Sequence, residues 1–266
     1  MSLTDRCRVC GKDSTFVFDG RLLDRTVHYF DCAHCGYLQT ETPTWLDQAY
    51  ASPINISDTG IIARNVLNTR RVGAVCLLLG TTKAKIVDFA GGHGILVRML
   101  RDAGLEAEWS DKFCENLFAR GFEHKGATAD IATAFEAFEH FVEPVAELDR
   151  MFKVAPVVFL STALLPEPVP LPGTWWYYGE EHGQHVGIYR RKTLEYLADA
   201  QGARLFSNDA DIHVLARKPA DIDLSRLRWA MRAWPLYRRF WMTPLTNADH
   251  AKISASILSK RTGVGS

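Results

Sequence analysis

Asp88, Ala90, Gly92, Gly94 and Asp111 are the residues whose types and spacing point most directly to chemistry. Ile86-Val87-Asp88-Phe89 is an apolar run ending around an acid, and Ala90-Gly91-Gly92-His93-Gly94 turns it into a helix-period segment. Such a turn needs glycine at Gly92 and Gly94, where a Cβ would hold the backbone away from a ligand. Asp111 stands twenty-three residues after Asp88, at the end of Ala107-Glu108-Trp109-Ser110, placed to accept hydrogen bonds from a ribose diol. Strand, glycine turn, helix, short strand and acid make the nucleotide-cradling half of a Rossmann-like sheet and imply an adenosine-containing cofactor. On these residues alone, an ordinary strand-to-helix turn stays open as the alternative.

A second set could ligate metal. Cys7-Arg8-Val9-Cys10 and Cys32-Ala33-His34-Cys35 are two C-x2-C pairs separated by 21 residues. Four thiolates around one tetrahedral zinc ion would close a small module that has too little core of its own. Disulfides are the alternative, but the N-terminus lacks an export pattern and Cys76 and Cys114 stand apart. His28 and His34 read as bystanders. A third set, Glu136, Glu139 and His140, falls at i, i+3 and i+4, so on a helical turn two carboxylates and an imidazole would share a face and could hold a divalent ion.

The elements that must position these residues follow from periodicity. Ile95, Leu96, Met99, Leu100 and Ala103 have helical spacing up to Gly104, a C′ residue. Ile61 to Leu79 has the same spacing and ends at Gly80, which predicts a helix before the first strand. Val157 to Thr162 reads as a strand. Strand and helix signals alternate from Ile86 to Arg217, which predicts an α/β fold.

The order Asp88, Ala90, Gly92, Gly94 resembles motif I, D-x-G-x-G-x-G, of class I S-adenosylmethionine-dependent methyltransferases, with Ala90 where glycine is usual. An acid beside the turn suits a cationic methionine head group and would repel a pyrophosphate. Ala129-Asp130-Ile131 through Glu136, Glu139, His140 and Pro144 is similar to that family's fourth strand and following helix. Gly183-Gln184-His185, then Thr193 to Leu197 and Gly202, is similar to its late pattern of a histidine before a helix. The likeness covers about residues 63–217 and is nearest to methyltransferases of sugars and natural products, some with an N-terminal zinc module. It implies a class I methyltransferase sheet, S-adenosylmethionine as cofactor, His185 as general base with His182 behind it, and Glu136 lining the active site. It also implies, from relatives that bind metal at E-x-x-E-H, that His185 could complete a site at Glu136, Glu139 and His140.

The likeness departs in one region. Eighteen residues separate Asp111 from Asp130, too few for a full helix and third strand, so Asn116 to Phe122 must serve as an abbreviated connection. Phe113 or Phe122 could stack on an adenine, although an aromatic here more often belongs to the core. The loop from Leu164 to Gly187 holds four prolines, then Trp175, Trp176, Tyr177 and Tyr178, and reads as an acceptor-binding lid.

The expected organisation is a zinc-binding knuckle at 1–42, a linker or lid at 43–60 with Tyr50, the methyltransferase domain at 61–218 and a basic, Trp-rich extension at 219–266. With 266 residues, 47% of them hydrophobic, the chain can fill one sizeable core and a small satellite. Its formal charge is zero, so no whole-protein field draws in nucleic acid. No apolar run approaches a membrane span, and the reading is a reduced, cytoplasmic protein. In the extension, arginines interleave with Trp229, Trp234 and Trp241, a composition suited to peripheral membrane contact or to packing on the rest of the chain.

Three function classes follow. The first is O- or C-methylation of a small-molecule acceptor. The second is an RNA or protein methyltransferase that grips its target through the zinc module, against which stand the neutral charge and the lack of an N/D-P-P-Y-like site. The third is a binding module that keeps the cofactor fold without catalysis.

Overall fold

The computed structural model describes residues 3–51 and 58–262, with side chains to 259; residues 52–57 of the expected lid lie outside the described residues. In chain order the strands are β1 (Thr4–Arg6), β2 (Asp13–Leu22), β3 (Arg25–Asp31), β4 (Leu38–Thr40), β5 (Lys85–Phe89), β6 (Glu106–Ser110), β7 (Ile131–Phe135), β8 (Val157–Ser161), β9 (Gly187–Ile188), β10 (Ala203–Ser207) and β11 (Ile212–Arg217). The helices are α1 (Leu46–Ala49), α2 (Ile61–Leu78), α3 (Ile95–Asp102), α4 (Pro144–Val154), α5 (Arg191–Ala200), α6 (Leu227–Trp241) and α7 (Thr246–Thr262). The chain has an α/β fold. Two compact units divide it, one of residues 1–59 and 130–224, the other of residues 60–129 and 225–266.

In the first unit, β1, β2, β3, β4 and β9 form an antiparallel sheet. Its last pairing, Leu38 with Ile188, ties the knuckle strands to a strand 150 residues further along. Leu22, Val27, Tyr29, Leu38, Trp45, Tyr178, Val186 and Ile188 fill the core beneath. A second group of strands runs β10, β11, β8, β7, antiparallel except for the parallel β7–β8 pair, which ends in register at Phe135 and Ser161. All five residues of β8 are buried, as expected of a strand covered on both faces. Helix α4 opens with Pro144 in its first turn, where a missing N–H costs nothing.

In the second unit, β5 and β6 run parallel with Asp88 beside Trp109 and Phe89 beside Ser110. Helix α3 ends as its spacing predicts, with Gly104 at φ +91°, and α2 is followed by Gly80 at φ +67°. In place of a third strand, the expected abbreviated connection ends in a single parallel bridge between Trp109 and Glu123, flanked by Trp109 N–H to the Phe122 carbonyl and His124 N–H to the Trp109 carbonyl, both 2.8 Å. Helix α6 packs on α2, with Trp234 buried against Gly73. Arg101 makes a bidentate pair with the buried Asp249 of α7, at 2.6 and 2.8 Å, and Arg98 adds a third bond of 2.8 Å. Among the described residues, no helix is long and apolar enough to cross a membrane.

Candidate functional site

The glycine turn belongs to the second unit. After β5 the chain adopts left-handed conformations at Ala90 (φ +53°), Gly92 (φ +52°) and Gly94 (φ +85°). Each of these three positions serves a different need. At Gly92 a Cβ would meet nothing within 4 Å, so the backbone is open on that side. At Gly94 a Cβ would stand 2.7 Å from Asn116 Oδ1 and 3.0 Å from Ala119, so glycine there also admits the abbreviated connection. Ala90 carries its side chain in a left-handed conformation that costs about 1–2 kcal/mol and must be held by its surroundings.

Two side chains brace the turn. Asp111 Oδ2 accepts the Gly92 N–H at 2.9 Å, while Oδ1 accepts the N–H groups of Phe113 and Cys114 at 2.7 and 2.9 Å. Trp109 donates its indole N–H to the Gly92 carbonyl at 2.7 Å. Trp109 was not apparent as a site residue, and its place at the end of the strand before Asp111 is the one signal that could have found it. Asp88 is buried on β5, below the turn. Of the two candidate aromatics, Phe122 is buried and has the Arg101 guanidinium 3.7 Å from its ring centre, whereas Phe113 is 75% exposed.

The second constellation belongs to the first unit and differs from expectation. Glu136 has φ +49° and Phe138–His140 is a single 3-10 turn, so the chain is not α-helical where Glu136, Glu139 and His140 would share a face. The set that converges is Glu139, His140 and His185, whose ligand atoms all lie within 4.8 Å of one another. Glu136 turns to Ser161 instead, accepting its hydroxyl at 2.6 Å.

The electrostatics of this cluster are those of a closed apolar site. Both carboxyl oxygens of Glu139 are buried without a hydrogen-bond partner among the described residues. Burial, aided by the charge of Glu136, pushes its carboxyl up to about 8. The nearby hydroxyls of Thr162 and Tyr177 are engaged with each other at 3.1 Å. Burial pushes His140 down to about 3 and His185 well below its usual range, so both rings are neutral. His185 Nδ1 is 2.6 Å from the Tyr177 carbonyl, which can only accept; the proton therefore sits on Nδ1 and Nε2 is a bare acceptor. His140 Nδ1 is hydrogen-bonded to the Tyr50 hydroxyl at 2.9 Å. His182 is less buried, with its ring centre 4.8 Å from that of His185, and takes the Gln184 N–H at 3.1 Å. In the loop read as an aromatic lid, Tyr177 and Tyr178 are buried core residues and Trp176 is the aromatic left exposed.

The four cysteines meet as their spacing predicts. Cys7 and Cys35 sulfurs are 3.5 Å apart, Cys10 and Cys32 3.4 Å, and all four lie within 4.8 Å of one another, with no disulfide. Four sulfurs about 2.3 Å from one tetrahedral zinc would be about 3.8 Å apart, so the set fits the ion. Each pair is the same knuckle. The Gly11 N–H bonds the Cys7 carbonyl at 2.9 Å, the Gly36 N–H bonds that of Cys32 at 2.7 Å, and the two glycines have φ +70° and +75°. A C-x2-C-G pattern was therefore present in the sequence. His28 pairs with Asp19 and His34 packs on Tyr196, outside the sulfur cluster.

Residues 64–208 match the family model described as a methyltransferase domain. The chain belongs to the methyltransferase-domain family. Among solved structures, this methyltransferase domain is similar to TnmH, at 18% identity over 66% of this chain and 62% of that one, with a TM-score of 0.43. The mitomycin 7-O-methyltransferase MmcR is 16% identical over 66% of this chain and 61% of its own, also at 0.43. Magnesium protoporphyrin IX methyltransferase (ChlM) from Synechocystis PCC 6803 with bound SAH is 14% identical over 66% of this chain and 96% of that one, at 0.43. The chain spans about three fifths of the length of the first two. Likeness at this level transfers no residue role to this methyltransferase domain. A comparison with curated proteins gives no match.

Proposed function

We propose that this chain transfers a methyl group from S-adenosylmethionine to an oxygen or acidic carbon of a small-molecule acceptor, a sugar, glycan precursor or natural product. The observation that carries the reading is the open, left-handed Gly92 at the carboxyl end of a parallel strand, within the segment that matches the family. Asp88, Ala90, Gly92, Gly94 and Asp111 are assigned to the cofactor. Asp111 spends three acceptor positions on backbone N–H groups, and a carboxylate has about four, which leaves one for a ribose hydroxyl. The four cysteines are assigned a structural zinc ion.

A sulfonium supplies an electrophilic methyl. The acceptor's lone pair forms the new bond in line as the sulfur–methyl bond breaks, and the sulfur leaves as a neutral thioether. The acceptor's proton needs a destination, and the bare Nε2 of His185 supports that role, with Glu136 orienting the acceptor.

Calorimetric titration with S-adenosylmethionine, with NAD as control, tests the cofactor. Binding of the first alone is expected, and binding of neither overturns the reading. Asp111→Ala should abolish that binding. His185→Ala should keep cofactor affinity and lose turnover; retained turnover removes the base from His185.

One observation favours a second role for the same cluster. The partnerless carboxyl of Glu139 beside two neutral imidazoles is a donor set that suits a divalent cation. Manganese titration followed by electron paramagnetic resonance should then find a site that Glu139→Gln removes; a wild-type protein without one assigns the cluster to proton transfer alone.

A further inference from the structure

Helix α6 presents three faces. Leu227, Ala230 and Trp234 are buried. Trp229, Leu236 and Phe240 are 71%, 63% and 68% exposed. At 100° per residue these three fall within about 40° of one another and extend about 16 Å along the axis. Arg228, Arg232 and Arg239 fall within another arc of about 40°, centred about 80° from the apolar stripe on the side away from the buried face. The helix therefore carries an exposed aromatic-aliphatic stripe edged by a row of arginines.

The charge around it has one sign. From Leu224 to Ala248 there are five arginines and no Asp, Glu or Lys. Among the described residues, no carboxylate pairs with Arg228, Arg232 or Arg239. At the C-terminal end of α6, Pro235, Arg238, Arg239, Met242 and Pro244 line a depression of about 300 Å³, large enough for a phosphate.

We infer that α6 is a membrane-surface helix that lies in the plane of an anionic bilayer. Trp229, Leu236 and Phe240 enter the boundary between head groups and acyl chains, and the arginine row meets lipid phosphates. Charge complementarity selects this occupant. A second copy of the chain would bring the same arginines and no carboxylate to the contact. A nucleic acid would answer the charge but leave Leu236, at the centre of the stripe, without an apolar partner. Among the described residues neither unit supplies a spanning helix, and a helix lying in the interface plane associates peripherally and reversibly. The inference does not depend on the methyl-transfer reading.

The test is co-sedimentation of the full, zinc-loaded chain with phosphatidylcholine vesicles containing about one third phosphatidylglycerol, beside pure phosphatidylcholine vesicles. Binding to the anionic vesicles is expected to be at least about tenfold stronger and to weaken with added salt. Trp229→Ser/Leu236→Ser/Phe240→Ser should abolish it. Arg228→Gln/Arg232→Gln/Arg239→Gln should weaken it about a hundredfold, at about fivefold per arginine. All six side chains are exposed, so both variants should keep the wild-type circular dichroism spectrum, which certifies the comparison. The proposal is overturned if the folded wild-type chain ignores both vesicles, or if the serine variant binds as well as wild type. It is equally overturned if the stripe instead mediates a dimer in sedimentation equilibrium, or if RNA is bound and vesicles are not.

Discussion

Whether the C-terminal extension is part of the fold can be decided at Gly73. An added Cβ there would lie 2.1 Å from an indole carbon of Trp234. Carbon–carbon contact is about 3.5 Å, so the overlap is roughly 1.4 Å. Gly73 is inside α2 and Trp234 is 2% exposed, so neither can retreat into open space. Alanine in place of glycine in a helix gains about 1 kcal/mol. Overpacking of this depth costs about 3 kcal/mol. Gly73→Ala should therefore destabilise by about 2 kcal/mol, a fall in Tm of about 4–8 °C. Trp234→Ala alone should cost about 3–5 kcal/mol through the cavity it leaves. In the Trp234→Ala background the clash is gone, and Gly73→Ala should stabilise by its helical gain of about 1 kcal/mol. The sign of one substitution thus reverses with the other, a coupling of about 3 kcal/mol. Thermal melts of the four proteins by circular dichroism complete the cycle. Gly73→Ala that stabilises the wild-type chain would refute the packing of α6 on α2.

The remaining predictions concern the pins of the fold and the metal. Asp249→Asn should cost about 3–5 kcal/mol by leaving Arg101 and Arg98 without their counter-charge, measured by urea denaturation at neutral pH. Burial opposes ionisation of Asp249, but Arg101 and Arg98 prevail and hold its carboxyl below the usual 3.8. Its stabilisation is therefore present above that value and lost as pH falls through the lower folded one, and Asp249→Asn should remove that part of the acid limb. The purified chain should carry one zinc per molecule and Cys32→Ser close to none, read by atomic emission; a zinc-free wild type overturns the knuckle. Arg8→Met should raise hydrogen exchange at the Val186 amide about ten- to a hundredfold, since its guanidinium holds the Val186 carbonyl through a charged hydrogen bond of about 1.5–3 kcal/mol. Unchanged exchange would show that the bond does not hold the loop.

What was legible in the sequence was local. Gly80, Gly104 and Gly202 mark helix ends because the left-handed conformation they adopt is expensive for other residues, and all three have positive φ. The glycine turn and both cysteine pairs were legible for the same reason, since their chemistry lies within a few residues. The cluster at Glu139, His140 and His185 was not. The i, i+3, i+4 spacing presumes an α-helix, but Glu136 takes a left-handed conformation after β7 and the α-helix waits until Pro144. The third member comes from 45 residues away, through a loop with no periodicity. The pairing of β4 with β9 was hidden too, because a two-residue strand carries no alternation to read. Tyr177 and Tyr178 read as exposed lid residues because composition does not tell a stacking surface from a core whose hydroxyls find partners in Thr162 and the Pro170 carbonyl.

These hidden contacts change what the zinc module is for. Arg8, between the two cysteines of the first knuckle, donates to the carbonyls of Thr40 and Val186. The Thr40 N–H also reaches the Val186 carbonyl, at 3.0 Å, and the Val186 N–H reaches the Glu139 carbonyl at 2.8 Å. Val186 follows His185 in sequence, so a short run of hydrogen bonds links the first knuckle to both sides of the histidine–glutamate cluster. At the second knuckle, Arg190 grips Asp31 with two bonds of 2.8 Å and the Gly36 carbonyl with a third. A loop that must hold a neutral imidazole against a partnerless carboxyl is under electrostatic cost and needs rigid neighbours. A metal-closed knuckle supplies rigidity that the ten-residue strand β2, with most of its side chains exposed, does not. The module is best understood as the abutment of the His185 loop, in one unit with the residues it steadies.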